Sequence, residues 1–61
     1  MLIKEYEYNG YKIELFEHPI YHDFEFVVKT LDEKEAISTN KYFYECLEDA
    51  ENAAQLNINT F

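Results

Sequence analysis

The chain has few of the residues on which nucleic-acid binding and disulfide cross-linking depend. Its 61 residues include no arginine or tryptophan, and only one glycine, one proline and one cysteine. Five lysines stand against 13 acidic residues, which gives a formal net charge of −8. Because affinity for nucleic acid comes largely from cations that neutralise phosphates, we expect no direct binding to DNA, RNA or anionic lipid. A dense negative field favours a protein partner with a basic surface instead.

Other absences narrow the class of protein further. A single cysteine forms no internal disulfide, so the sequence does not indicate an oxidising compartment. No apolar run approaches the ~20 residues of a membrane span, and the first residues carry no signal-peptide core. The only glycine falls in a hairpin turn, which excludes a glycine-rich phosphate loop. We therefore expect a soluble, cytoplasmic protein of one domain over residues 1–61, with no cofactor and no membrane contact.

Aromatic residues are abundant, with six tyrosines and five phenylalanines. Each of these side chains buries roughly 150–250 Å² in a folded protein, so this composition argues against disorder. A chain of this length buries only about 60% of its unfolded surface. The sequence therefore predicts a folded domain of marginal stability.

The clearest local signal is Asn9-Gly10 between two runs of alternating apolar and polar residues. Asn-Gly favours a type I′ hairpin turn, because both central residues tolerate positive φ. The predicted cross-strand pairs are Tyr8–Tyr11, Glu7–Lys12, Tyr6–Ile13, Glu5–Glu14, Lys4–Leu15 and Ile3–Phe16. The inward face then carries Leu2, Tyr6, Tyr8, Tyr11, Ile13 and Leu15. The outer face is acidic and carries Glu5, Glu7, Lys12 and Glu14, with Ile3 and Phe16 at its far end.

Alternation resumes after a break at His18-Pro19, where proline interrupts strand pairing. Residues 24–29 form a predicted third strand, whose inward residues are Phe24, Phe26 and Val28. Residues 31–35 predict a turn, and residues 36–39 the start of a fourth strand.

The last third of the chain changes to a helical period. The apolar stripe consists of Phe43, Cys46, Leu47, Ala50 and Ala54. The sequence allows the helix to start at either of two positions. In the first alternative, Asn40 caps a helix that begins near Lys41. In the second, the strand runs to Tyr44 and the helix begins after Cys46. The predicted fold is α+β, an antiparallel β-meander of three to four strands with one C-terminal α-helix packed on one face.

The chain contains the run Phe24-Glu25-Phe26-Val27-Val28-Lys29, then a polar turn, then Ala36-Ile37-Ser38-Thr39. On these motifs, residues 22–54 resemble the small YegP-type domains, whose function is unknown. It places Tyr44 on the family's tyrosine and Ala50-Glu51 on its helical Ala-Glu pair. The chain departs from the pattern in its turn, which has no glycine, and at Cys46, where the family has Ser or Thr. The resemblance implies the same α+β fold.

Three arrangements have the residue types of a catalytic or metal site. Glu5 and Glu14 face each other across the hairpin, but on an open sheet face without a cleft, so a solvated strand face is favoured. The metal-binding residue types are His18, His22, Asp23 and Cys46. Proline breaks their helical spacing, which favours two turn-flanking histidines. A cysteine on an apolar helical stripe is usually core. We expect no catalytic or metal-binding residues, and no enzyme.

Two features indicate protein binding. Alternate strand residues lie about 6.5–7 Å apart, so Glu5 and Glu7 are spaced much like successive phosphates of a nucleic-acid strand. Apolar Ile3, Phe16 and Val27 emerge among the acids, as in a protein-binding or dimer surface. Less constrained aromatics open to partner contact are Tyr21, Tyr42 and Tyr44.

The predicted function is a non-enzymatic acidic protein-binding module, an inhibitor that occupies the nucleic-acid-binding surface of a larger protein, as phage anti-CRISPR or DNA-mimic proteins do. The predicted partner-binding residues are Glu5, Glu7, Glu14, Phe16, Glu25, Glu48, Asp49 and Glu51. The alternative is a YegP-like housekeeping domain that forms a homodimer through an edge strand or the Ile3/Phe16/Val27 patch.

Overall fold

Within the described part of the chain, four strands form one antiparallel sheet in chain order, and one helix follows. The computed structural model describes residues 1–39 and 44–61. The elements are β1 Leu2–Tyr8, β2 Tyr11–Glu17, β3 Phe24–Thr30, β4 Ala36–Thr39 and α1 Leu47–Asn59. Adjacent strands pair antiparallel in the order β1-β2-β3-β4. The predicted α+β meander with a C-terminal helix is confirmed.

The β1–β2 hairpin turns at the Asn-Gly pair, where φ is 48° at Asn9 and 86° at Gly10. The predicted register holds for five of the six pairs, and it is wrong at the sixth. Leu2, rather than Ile3, lies opposite Phe16, because a bulge between Leu2 and Lys4 takes up one residue of β1.

The shift aligns the start of the chain with the end of β2. The Met1 ammonium donates to the Glu17 carbonyl at 2.9 Å, and the Glu17 N–H donates to the Met1 carbonyl at 2.9 Å. The hairpin ladder therefore reaches the first residue.

Replacing Gly10 with alanine is expected to lower the free energy of unfolding by about 1 kcal/mol. The φ of 86° lies in the left-handed region, and a Cβ there would meet no atom within 4 Å. The cost is therefore conformational rather than steric. Urea denaturation measures it, with Asn9→Asp as the control, because Asp-Gly also favours a type I′ turn. Equal stability of Gly10→Ala and wild type would contradict this.

The core lies between the inward sheet face and α1. Its buried residues are Ile13, Leu15, Phe26, Val28, Ala50, Ala54 and Ile58. The helix contacts β2 and β3, and alanines on its buried face allow a close approach. The inward tyrosines, Tyr6, Tyr8 and Tyr11, are partly buried and pack against this core. Gln55 Nε2 donates to the Tyr6 hydroxyl at 2.9 Å.

Helix α1 begins at Leu47, which agrees with the second of the two predicted starts. Tyr44 lies before it in an isolated bridge to Phe24, with backbone hydrogen bonds of 2.6 and 2.7 Å. The proposed Asn40 cap, the Lys41 start, Tyr42 and the Phe43 position of the stripe lie outside the described residues.

The prediction that Cys46 is a core residue is wrong. Cys46 is exposed and is the N-cap of α1, with φ −131° and ψ 135°. Its extended backbone places it before the first helical turn, so it does not share the buried face of the helix. That face continues instead from Leu47 through Ala50 and Ala54 to Ile58.

Candidate protein-binding surfaces

The outer face of the sheet lies opposite the helix and combines acidic, basic and apolar side chains. Strand alternation and the observed register place on it Glu5, Glu7, Lys12, Glu14, Phe16, Glu25, Val27 and Lys29. Lys12 lies opposite both Glu7 and Lys29, and Glu14 lies opposite both Glu5 and Val27. The lysines of β2 and β3 therefore interrupt the acidic array near its middle.

Glu14 is buried, with 6% of its surface exposed, so the prediction that it is a solvated carboxylate is wrong. Lys29 Nζ lies 2.8 Å from its Oε1, and Lys12 Nζ lies 4.0 Å from its Oε2. The Lys29 contact has an ion-pair distance without hydrogen-bond geometry. Both lysines lie on the same face of the sheet as Glu14. The buried Glu14 carboxylate thus forms ion pairs within the sheet.

Lys12 is the centre of a second cluster, which ties the β3–β4 turn to the hairpin. Its Nζ lies 2.8 Å from Glu33 Oε1 and 3.3 Å from Glu5 Oε2. The hydrogen bond to Glu33 raises the pKa of Lys12 above its ordinary value, against a smaller opposing effect of desolvation. The same hydrogen bond lowers the pKa of Glu33. Lys12 therefore offsets only part of the Glu5 charge, because its single positive charge is shared with Glu33 and Glu14.

A shallow depression lies beside this cluster, and Glu14 does not line it. Its volume is about 290 Å³. The lining residues are Glu5, Tyr6, Glu7, Lys12, Leu31 and Glu33. It is open to solvent and is lined mainly by charged side chains.

The turn is expected to lose stabilisation below about pH 4, near the ordinary carboxyl pKa. Lys12 holds the pKa of Glu33 low, and the Thr30 hydroxyl and Lys34 N–H hold the pKa of Asp32 low. Lowered carboxyl pKa values stabilise the fold above their unfolded values, and this is lost as the pH falls through the folded ones. In a ¹³C NMR titration, Lys12→Met is expected to return the pKa of Glu33 toward normal and to leave that of Asp32 low. A Glu33 titration that Lys12→Met does not move would contradict this.

The predicted acidic residues differ in how far they are neutralised. Among the described residues, no lysine lies within ion-pair distance of Glu7 or Glu25 on the sheet, or of Glu48 or Asp49 on the helix. Glu7, Glu48 and Asp49 are exposed, and Glu25 is half-buried. Glu51 differs, because Lys4 Nζ contacts both of its carboxylate oxygens, at 3.1 and 3.0 Å. The Lys4–Glu51 pair links β1 to α1.

The acids of the sheet and those of the helix lie on opposite sides of the molecule. Helix α1 packs on the inward face, whereas Glu5 and Glu7 project from the outward face. Glu48 and Asp49 occupy the first turn of α1, where carboxylates also stabilise the helix through its dipole. The molecule therefore presents two acidic sides rather than one continuous array.

The predicted apolar patch is present in altered form at the end of the hairpin. Phe16 and Val27 are half-buried, and Ile3 is 38% exposed. Because of the bulge, Leu2 lies opposite Phe16 and is 43% exposed. The patch thus includes Leu2, which the unbulged register assigns to the inward face.

The histidines lie in the β2–β3 loop and contribute to its conformation. His22 Nδ1 lies 3.1 Å from Glu17 Oε2, and His18 Nδ1 accepts hydrogen bonds from two loop amides. Over the part of the chain that the structure describes, no group of three or more His, Cys, Asp or Glu side chains is arranged to hold a metal ion.

The tip of the same loop exposes two large side chains, Ile20 and Tyr21, each 73% accessible. Sequence reasoning left Tyr21 open to partner contact, but it missed Ile20, which follows proline outside any alternating pattern. Tyr44 is half-buried instead, and its ring stacks on Phe26 with centroids 6.3 Å apart.

Comparison with protein-family models, curated proteins and solved structures finds no match to this chain. The resemblance of residues 22–54 to YegP-type domains stays a prediction. Within residues 1–39 and 44–61, no helix has the length and apolar character needed to cross a membrane.

Proposed function

We propose that this chain is a non-enzymatic, cytoplasmic binding module that occupies a basic, nucleic-acid-binding surface of a larger protein and inhibits it, as phage anti-CRISPR and DNA-mimic proteins do. The observation that carries the proposal is that three of the predicted partner-binding carboxylates, Glu7, Glu48 and Asp49, are exposed and have no lysine within ion-pair distance among the described residues. They belong to a chain whose formal charge is −8. Such a field speeds encounter with a cationic surface.

The internal ion pairs divide the acidic residues into two groups. Glu14 and Glu51 are held by Lys29 and Lys4, so we assign them to the fold rather than to the partner. Glu5 is 48% exposed and shares Lys12, so it contributes less than Glu7. Half-buried Glu25 and Phe16 lie together on the outer face and supply the rim of the contact.

The two-sided placement of the free acids favours a cleft over a flat surface. Glu7 projects from the sheet, and Glu48 and Asp49 project from the opposite layer. A partner that contacts both groups has basic side chains on two facing walls. Clefts that enclose a nucleic-acid strand have this arrangement, because they bind phosphates along their length.

Charge reversal at the free acids tests the proposal. The immobilised chain retains a partner from a lysate of the organism that encodes it, and the retained protein is identified and purified. Glu7→Lys combined with Glu48→Lys is expected to weaken its binding at least about tenfold and to flatten the salt dependence. The control, Glu35→Lys combined with Lys34→Glu, alters exposed charges of the β3–β4 turn and is expected to change affinity less than about twofold. Unchanged affinity of the first variant would contradict the proposal.

A homodimer is the second candidate, and one observation favours it. Strand β1 is an edge of the sheet and exposes apolar Leu2 and Ile3 beside Phe16. Edge strands with exposed apolar residues favour pairing with another chain. In that case sedimentation equilibrium gives twice the chain mass, Phe16→Asp halves it, and Glu7→Lys leaves it unchanged.

A further inference from the structure

The β2–β3 loop, residues 18–23, exposes two large side chains at its tip. Ile20 and Tyr21 are each 73% exposed, and neither belongs to the core cluster. Burial of exposed tyrosine and isoleucine side chains in an interface lowers the free energy of the complex. Adjacent exposed side chains of this kind mark an interaction site more often than a scattered single residue does.

His18 fixes the conformation of the loop. Its Nδ1 accepts hydrogen bonds from the N–H groups of Ile20, at 3.2 Å, and of Tyr21, at 3.3 Å. Its backbone N–H donates to the Asp23 carbonyl at 2.8 Å, and its carbonyl accepts from the His22 N–H at 2.9 Å. The His18 and Tyr21 rings lie 5.0 Å apart. His18 thus holds the tip in place through hydrogen bonds of both its side chain and its main chain.

Carboxylates lie at both ends of the loop, and the Met1 ammonium, which donates to the Glu17 carbonyl, lies at the Glu17 end. Glu17 and Asp23 bracket the loop, and the chain has no lysine between Lys12 and Lys29. Met1, which is 74% exposed, lies at the same end of the sheet, because its backbone pairs with Glu17. The apolar tip therefore projects from a carboxylate-bearing base.

We propose that Ile20 and Tyr21 form a preorganised anchor that inserts into an apolar pocket rimmed by basic side chains on the partner protein. The inference rests on the proposed function and adds to it the part of the contact that does not depend on salt. Aromatic anchors in desolvated pockets carry a large share of interface energy. A tip already held by His18 loses little conformational entropy on binding.

The charges beside the anchor favour a basic partner over a second copy of the chain. Two copies that meet through this loop bring Glu17 and Asp23 of one copy toward the same residues of the other. Like charges at an interface oppose association. A cationic rim instead complements the carboxylates that bracket the loop.

Polar substitution of the tip tests the anchor on the partner retained and purified as above. Ile20→Ser and Tyr21→Ser are each expected to weaken binding at least about tenfold, with an unchanged salt dependence. Leu56→Ser is the matched control, because Leu56 is 65% exposed on α1 and lies outside the loop. Its affinity is expected to change less than about twofold.

The outcomes separate the anchor from the proposed function. Unchanged affinity in both tip variants overturns the anchor, whereas the charge reversal at Glu7 and Glu48 still tests the proposed function. Weakened binding of the tip variants to a partner retained independently of salt overturns both the basic rim of the anchor pocket and the acidic mechanism. If no partner is retained, both are overturned. A dimer that Tyr21→Ser dissociates assigns the tip to a second copy and overturns the anchor.

Substitution of His18 tests the preorganisation on the isolated protein. His18→Ala is expected to raise the hydrogen-exchange rates of the Ile20 and Tyr21 amides at least about tenfold and to weaken partner binding. His18→Asn is expected to restore both, because an asparagine side-chain oxygen accepts hydrogen bonds from amides two and three residues onward. Unchanged exchange in His18→Ala would overturn the positioning role of His18.

Discussion

Replacing Leu15 with alanine is expected to remove about 2–5 kcal/mol from the free energy of unfolding. Leu15 is fully buried at the centre of the sheet, in the core cluster that faces α1. The truncation leaves a cavity between the sheet and the helix. A domain of this length has a total stability of roughly 3–9 kcal/mol, so the truncation is expected to remove a large fraction of it.

Urea denaturation followed by circular dichroism measures this effect, and a second leucine provides the control. Leu56 lies on α1 and is 65% exposed. Leu56→Ala removes the same atoms from a solvent-exposed site, and alanine favours the helix, so a change within about 0.5 kcal/mol is expected. Similar losses in the two variants would contradict the placement of the core between the sheet and α1.

Replacing Lys29 with methionine is expected to cost about 2 kcal/mol. The substitution removes the 2.8 Å ion pair of Glu14 and leaves that carboxylate, which is 6% exposed, with Lys12 at 4.0 Å as its nearest cation. Breaking a fully buried pair typically costs about 3–5 kcal/mol. The smaller figure reflects the contact with Lys12 and the 28% exposure of the Lys29 side chain.

Two further variants show whether the loss arises from an uncompensated buried charge. Lys34→Met removes an exposed lysine from the β3–β4 turn and is expected to change stability by less than about 0.5 kcal/mol. Glu14→Met combined with Lys29→Met removes both charges and is expected to regain most of the lost stability, since apolar residues substitute well for buried ion pairs. If Lys29→Met alone were as stable as wild type, the ion pair with Lys29 would not contribute to the free energy of unfolding, which would contradict this prediction.

Local sequence signals predicted most of the fold. The Asn9-Gly10 turn determines the hairpin register, because the turn type pairs Tyr8 with Tyr11 and the other pairs follow by alternation. The inward residues of β3, Phe26 and Val28, follow from the same period of two. Alternation and turn chemistry act over a few residues, so they can be recognised without tertiary information.

The features that the sequence did not predict depend on contacts between distant segments. The bulge in β1 carries no local mark, since neither glycine nor proline occurs there. The burial of Glu14 requires Lys12 from its own strand and Lys29 from the next to close over one carboxylate. The predicted acidic face treated each glutamate as solvated, because alternation assigns a residue to a face but does not say which neighbours neutralise it.

The sequence does not predict the exposed loop tip, for a related reason. The sequence indicates a metal-ligand type or a turn-flanking residue at His18, whereas its Nδ1 accepts hydrogen bonds from the backbone N–H groups of Ile20 and Tyr21. A histidine that caps a turn has no distinctive sequence pattern. The Pro19 break indicated a loop but not which side chains the loop would expose.

Under the proposed function, the chain occupies a nucleic-acid-binding surface through its free carboxylates. Displacement of the retained partner from the immobilised chain by duplex DNA or RNA at constant ionic strength tests this directly. We expect nucleic acid to release the partner at a concentration where a salt solution of equal ionic strength does not, because both ligands compete for the same cations. A partner that stays bound in saturating nucleic acid would contradict the claim.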